Sequence, residues 1–341
     1  MILKRIEKTD LSVCDSNSTF LQSGFWGAFK SRFDWEALPF IVEWENNEKQ
    51  KEVKPLLVLH RRLLPGYTLA YIPWGPELPS WCINYNTPLL DLAEKLKEIL
   101  PNNTVFIRFD PPWQMSSPLI PKMMPSCPLI RSAVDIQPST TVVLDLSQSM
   151  DSIISKMKPK WRYNSRLAQK KGVKVFQADS DKIMCFYKLL KITAQRDGIS
   201  IHSFEYYNTL FKHDFYDGIK PEIRLYLAQH EDDIIAGIVT LFRNREAVYL
   251  YGASSDIKRN LMPSYALQLK AIEEAKAYGC IIYDLFGIPP NDNPDHPMAG
   301  LYRFKTGFGG TIIHRPGSWD YPLRPFIYKT FRIVELLRKR L

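Results

Sequence analysis

The chain has 341 residues, 45% hydrophobic and 24% charged, a balance that argues against extensive disorder and a length that favours two domains over one core. Its formal net charge of +9 favours anionic partners: nucleic acid, nucleotide phosphates or an acidic membrane surface. Cys14, Cys82, Cys127, Cys185 and Cys280 lack any CxxC spacing, no apolar run reaches the roughly 18 residues of a membrane span, and the N-terminus turns charged at once. A disulfide framework, a zinc site, a signal peptide and a membrane span are therefore not expected, and the chain reads as cytoplasmic.

In chain order, Ser23 is placed to cap a helix whose Trp26, Phe29 and Phe33 point one way while Lys30 projects from its exposed side. Strand-like runs follow at 39–44, 55–60 and 68–73, the last ending at the turn Trp74-Gly75-Pro76. Leu92, Leu96 and Leu100 mark a helix over 89–100. The run Thr104 to Asp110 reads as a buried strand ending in a carboxylate, and 140–146 as another strand. From Lys156 to Lys174 there are eight Lys or Arg and no acid. Arg162, Arg166 and Lys170 fall at four-residue spacing, a cationic stripe with Tyr163 and Leu167 packed inward. Such like charges repel, so the stripe suits either an anion or a solvated face.

Next come a helix over 181–197 and strands at 223–228, 234–242 and 247–252, an antiparallel meander with polar turns. A helix from Pro263 stops at Gly279, and the strand 280–284 leads to Asp284. The stretch Gly300 to Thr306 reads as a second strand, with Arg303 and Lys305 on one face and Phe304 on the other. Gly307, Gly309 and Gly310 then allow positive φ or close approach to a bound group. A cation beside a glycine turn suits an anion or a carbonyl oxygen gaining charge, or else a solvated hairpin. In the tail, Phe326, Ile327, Phe331, Val334 and Leu337 are expected to dock on the first half, with Arg332, Arg338, Lys339 and Arg340 outward, either as a docking helix or as a membrane-surface element. The whole reads as an α/β protein of two similar halves with mixed, mostly antiparallel sheets.

P-loop, Rossmann, HExxH and GxSxG patterns are absent from the sequence, and the six histidines form no metal spacing. Candidates for chemistry reduce to Asp110, Asp284, Tyr206, Tyr251, Lys30 and Lys305. Several stretches, in order, resemble the Fem family of peptidoglycan-bridge aminoacyltransferases. They are Gln22-Ser23 with Trp26 and Lys30; Tyr71 to Pro76; Lys160 to Ala168 followed by Lys170 to Val173; Tyr251 to Ser255; Tyr283 to Ile288; and Gly300 to Gly310.

The resemblance covers nearly the whole chain and implies two GNAT-like subdomains, 1–146 with 315–341 and 147–314, in the compact form without a helical hairpin insert. It implies transfer of an amino acid from aminoacyl-tRNA, the co-substrate, to the third stem-peptide residue of lipid II or its UDP-linked relative, with no cofactor or metal. It also implies a role in cell-wall biogenesis and cell shape for a monomer at or near the inner membrane face. By that likeness Lys305 stabilises developing negative charge or the terminal ribose-phosphate, Phe304 helps position the tRNA acceptor end, and Lys30 binds the precursor diphosphate. Tyr206 and Tyr251 line the precursor site, and Asp110 matches a carboxylate read as a base. Arg303 would lie with Lys305 where the tRNA acceptor end meets the incoming amine, and the stripe of Arg162, Arg166 and Lys170 suits the polyanionic substrates. Trp74 stands where the family turn has Arg, and His202 where a phosphate-binding Arg is expected, which favours a lipid-linked acceptor. The other readings are a GNAT-type acyltransferase using acyl-coenzyme A and a non-catalytic binder of RNA or anionic membrane.

Overall fold

The computed structural model describes residues 1–82, 86–115 and 128–340, the side chains of 338–340 excepted; Cys127 and the outward direction expected for Arg338, Lys339 and Arg340 lie outside that description. The chain divides into two units. The first is Met1–Ser139, Phe215–Lys220 and His314–Leu341, and the second is Thr140–Asp214 and Pro221–Ile313.

The first unit holds β1 (Ile2–Arg5), α1 (Gly24–Ser31), β2 (Glu36–Glu45), β3 (Lys51–Leu64), β4 (Tyr67–Ile72), α2 (Asn86–Ile99), β5 (Thr104–Phe109) and β6 (Ile130–Arg131). The second holds β7 (Thr140–Asp145), α3 (Met150–Lys156), α4 (Pro159–Lys170), β8 (Lys174–Ala178), α5 (Ile183–Asp197), α6 (Phe204–Lys212), β9 (Glu222–His230), β10 (Asp233–Arg243), β11 (Glu246–Ser254), α7 (Pro263–Ala277), β12 (Ile282–Gly287), α8 (Ala299–Thr306) and β13 (Thr311–His314). The chain then supplies β14 (Trp319–Pro322) and α9 (Pro325–Arg340) to the first unit.

The two seven-stranded sheets follow one plan, in orders β1-β2-β3-β4-β5-β14-β6 and β8-β9-β10-β11-β12-β7-β13. In each, an antiparallel meander is followed by a helix crossover and a parallel strand, β4 to β5 and β11 to β12. Apolar helix faces cover the sheets. Leu89, Leu92, Ala93 and Leu96 of α2 are buried in the first core, and Leu267, Ala271, Ile272 and Ala275 of α7 in the second. Each fully buried leucine contributes about 2 kcal/mol relative to exposure.

The expected boundary at 146 shifts. Residues 140–145 pair with β12, so their backbone groups are satisfied in the second sheet. Phe215–Lys220 joins the first unit because Asp15 accepts from the Tyr216 hydroxyl at 2.7 Å and from the Ile219 amide at 2.8 Å.

The tail returns to the first unit, as expected, but by different side chains. Phe331 and Tyr328 pack on Phe106, with ring centroids at 5.1 and 5.4 Å. Arg108 donates to Asp320 at 2.7 and 2.8 Å and to Glu335 at 2.8 and 3.1 Å, tying β5, β14 and α9 together. Phe326, Val334 and Leu337, expected to dock, are exposed. The buried face is set by Tyr328, Phe331 and the Arg108–Glu335 pair, which rotate those three residues outward.

Candidate active site

In the first unit, Gln22 and Ser23 fix the start of α1. The Gln22 amide donates to the Leu57 carbonyl at 3.1 Å and the Pro73 carbonyl at 2.8 Å, and accepts from the Leu57 amide at 2.9 Å. Ser23 caps the helix by accepting from the Trp26 amide at 3.2 Å. This latch grips backbone groups of β3 and of the turn after β4, which fixes the start of α1 against the sheet.

Lys30 is not simply projected into solvent. Its ammonium lies 5.8 Å from the Trp26 ring centroid and 5.9 Å from that of Trp35, while the Arg61 guanidinium lies 4.4 Å from the Trp35 centroid. Burial, and then the Arg61 charge, lowers the Lys30 pKa to about 8. Trp26 packs on Phe20 at 5.2 Å, Phe20 on Trp74 at 6.5 Å, and the Arg315 guanidinium lies 4.2 Å from the Trp74 centroid. The first unit therefore carries an interleaved row, Arg61–Trp35–Lys30–Trp26–Phe20–Trp74–Arg315. Arg315 brings a charge to the turn where Trp74 stands in place of the family's Arg. Sequence reading missed Arg61 and Arg315. The pair Arg61-Arg62 inside an apolar strand was a usable signal; Arg315 gives none, because its partner lies at the other end of the chain.

Asp110 follows β5 and is 2% exposed. Its oxygens accept from the hydroxyls of Tyr71 and Ser318 and from the Gln137 amide at 3.2 Å. Burial raises its pKa to about 6 against those hydrogen bonds. Its carboxylate joins β4, β5 and the segment leading into β14.

In the second unit, residues 299–306 form α8, not a strand. Positions 303 and 305 are then about 200° apart around the axis, so Arg303 is exposed while Lys305 is 6% exposed. Among the described residues Lys305 is the one buried lysine. The pairing of β11 with β12 ends at Val248 opposite Asp284. Beyond that point the two strands no longer satisfy each other, and Lys305 donates to the Gly287 carbonyl at 2.9 Å. Its ammonium lies 5.1 Å from the Tyr249 centroid. Burial lowers its pKa to about 7, with the Asp284 charge acting the other way. Gln268 accepts from Tyr283 at 2.9 Å and adjoins Tyr249, both behind this splay.

Phe304 packs edge-on to Tyr265 at 5.2 Å and to Phe308 at 5.3 Å, and its carbonyl accepts from the Trp161 indole at 2.7 Å. The glycines after α8 are used in packing. A Cβ on Gly307 would stand 2.1 Å from the Trp161 ring. Gly309 has φ +85°, and a Cβ there would stand 2.4 Å from the Lys156 carbonyl oxygen. Close approach at these two positions is therefore to the chain itself rather than to a ligand.

Tyr206 is buried on α6, with the His202 ring stacked on it at 3.8 Å. The Tyr206 and Tyr251 hydroxyls are hydrogen-bonded, and burial raises both pKa values. Tyr207 meets Tyr251 edge-on at 5.2 Å. These two predicted residues are thus brought together, and His202 supplies a flat aromatic surface where a cation was expected.

The basic stripe is thinner than its spacing suggests. Arg162 turns back to the Ser155 and Met157 carbonyls at the end of α3. Tyr163, expected inward, is 63% exposed, because the small face of Asn164, Ser165 and Ala168 packs instead. Arg166 and Lys170 remain exposed, with no ion-pair partner among the described residues. Among those residues no helix is long and apolar enough to cross a membrane.

A family model described as FemAB family matches residues 129–229 and 217–336. The lipid II:glycine glycyltransferase of Staphylococcus epidermidis (strain RP62A) is 23% identical over 264 residues, covering 60% of this chain and 63% of that protein, so the match spans less than two thirds of its length. A crystal structure of FemX superposes with a TM-score of 0.78 at 19% identity, covering 97% of this chain and all of that one. A tandem GNAT protein from the clavulanic acid biosynthesis pathway superposes at 0.55 with 13% identity, over 94% of this chain and 97% of that one. These likenesses show the fold: two GNAT-like halves.

Proposed function

The chain belongs to the FemAB family, and from that premise we propose that it transfers an amino acid, glycine first among the candidates, from aminoacyl-tRNA to the side-chain amine of the third stem-peptide residue of lipid II, building an interpeptide bridge. The observation that carries this reading is Lys305, a buried cation held at the splay of two parallel strands. A cation kept in such a place at a cost in stability is a mark of function.

The reaction is aminolysis of an ester. The amine nitrogen bonds to the ester carbonyl carbon, the bond from that carbon to the ribose oxygen breaks, and the proton lost by the amine passes to that oxygen. Lys305 stabilises the negative charge that develops on oxygen. The donor's vicinal hydroxyl is positioned by chemistry to relay the proton, so no protein base is required. Asp110 is assigned a structural role, since its oxygens already accept three hydrogen bonds.

Within the first unit, Lys30, Arg61 and Arg315 are assigned to the acceptor's diphosphate; within the second, Tyr206 and Tyr251, with His202, form an aromatic surface suited to an uncharged substrate group. Phe304 braces α8 rather than touching the acceptor end. Arg166 and Lys170, with Arg303, hold tRNA phosphates. Incubating the protein with lipid II, tRNA, a synthetase mixture and labelled amino acids, then weighing the product, tests the reading. RNase sensitivity separates it from the acyl-coenzyme A reading, for which no residue of the second unit offers a specific argument.

A further inference from the structure

The outer face of α9 is the most apolar exposed helix surface among the described residues. Phe326 is 86% exposed, Ile333 59% and Leu337 56%. At positions i, i+7 and i+11 they form one stripe. Val334 and Leu336, also exposed, flank it. The opposite face is already occupied: Tyr328 and Phe331 lie on Phe106, and Glu335 pairs with Arg108. The stripe is therefore neither a core face turned out nor part of the diphosphate row.

Its charges point to the occupant. From Pro325 to the end of the sequence there are five cations, Lys329, Arg332, Arg338, Lys339 and Arg340, and one acid, Glu335, which is turned inward and pairs with Arg108. An apolar stripe on a helix with a strong cationic excess is the pattern of an element that lies in the plane of an anionic bilayer surface. A second copy of the chain would bring the same cations to the same place, and like charges would oppose that pairing.

We propose that α9 docks the protein on the headgroup region of an anionic bilayer, through Phe326, Ile333 and Leu337. This rests on the reading of a lipid-linked acceptor. The helix would hold the enzyme where that acceptor's diphosphate emerges, raising its local concentration by confinement to the surface. No conformational change is needed, since the stripe is already exposed.

The experiment is flotation with vesicles of phosphatidylglycerol and phosphatidylcholine, beside vesicles of phosphatidylcholine alone, with neither acceptor nor tRNA present. The protein is expected to float with the anionic vesicles, less so at high salt. The triple variant Phe326→Ser, Ile333→Ser, Leu337→Ser should partition more than about tenfold more weakly with its melting temperature kept, while Val53→Ser, another exposed apolar position, should float unchanged. Failure of the unaltered protein to float, or equal flotation of the triple variant, overturns the proposal. So does a dimer, seen by light scattering, that the triple variant dissociates without any vesicle binding. Transfer to a lipid-free acceptor fragment, measured in parallel, reports on the function separately: flotation without transfer overturns the enzyme reading and leaves the docking surface, and transfer without flotation does the reverse.

Discussion

Lys305 concentrates the chemistry of the second unit in one side chain. Its ordinary pKa of 10.5 falls to about 7 on burial. Between those values the unfolded chain binds more protons than the folded one, so this group's contribution to stability rises with pH from 7 towards 10.5, and its burial is most costly below 7. Lys305→Met should therefore lower kcat by about 10²- to 10³-fold while raising the melting temperature, most clearly below pH 7 and least near pH 10.5. A variant that loses both activity and stability at every pH would make the lysine a structural tie to Gly287 only. In the first unit, Arg61→Gln and Arg315→Gln should each raise KM for the lipid-linked acceptor about tenfold, with kcat and melting temperature nearly unchanged. An unchanged KM would remove that cation from the diphosphate row.

At the scale of elements, the sequence was informative where a pattern was local. Ser23 as a cap, the leucine spacing of α2 and the β9–β11 meander all stand as read. The stretch 299–306 misled because Leu301, Tyr302, Arg303, Phe304 and Lys305 nearly alternate, and because burial of a lysine breaks the polarity rule by which a helix face is found. The tail misled similarly: Arg108 draws Glu335 inward, and that pair fixes which apolar residues are left outside. On α4, spacing alone could not tell a cation facing an anion from one that closes a neighbouring helix. The two kinds separate experimentally. Arg162→Ala should destabilise the protein by about 1 kcal/mol in denaturant unfolding, through the open carbonyls at the end of α3. Arg166→Ala and Lys170→Ala should leave stability alone, weaken tRNA binding, and each reduce the salt dependence of that binding by about one unit of slope. Equal effects of all three on tRNA affinity would restore the full stripe.

At the scale of the molecule, two sheets of one plan place their polar residues at the same relative position, the carboxyl end of the parallel pair. In the first unit these are Trp74, with Arg315, and Asp110; in the second they are Tyr251 and the Gly287 carbonyl with Lys305. The plan was legible in sequence as two similar halves, while the exchange of β14 and β7 around the chain was not, since strand pairing over such separations leaves no local trace. Cations gather in an interleaved row in the first unit, on the exposed side of α4 and on the last helix. The most direct test of the account is the mass of lipid II after incubation with the protein, charged tRNA and labelled amino acids. A gain of one or more amino-acid residues, abolished by RNase and by Lys305→Met, is the expected result. No gain with any amino acid, or a gain that survives RNase, would contradict it.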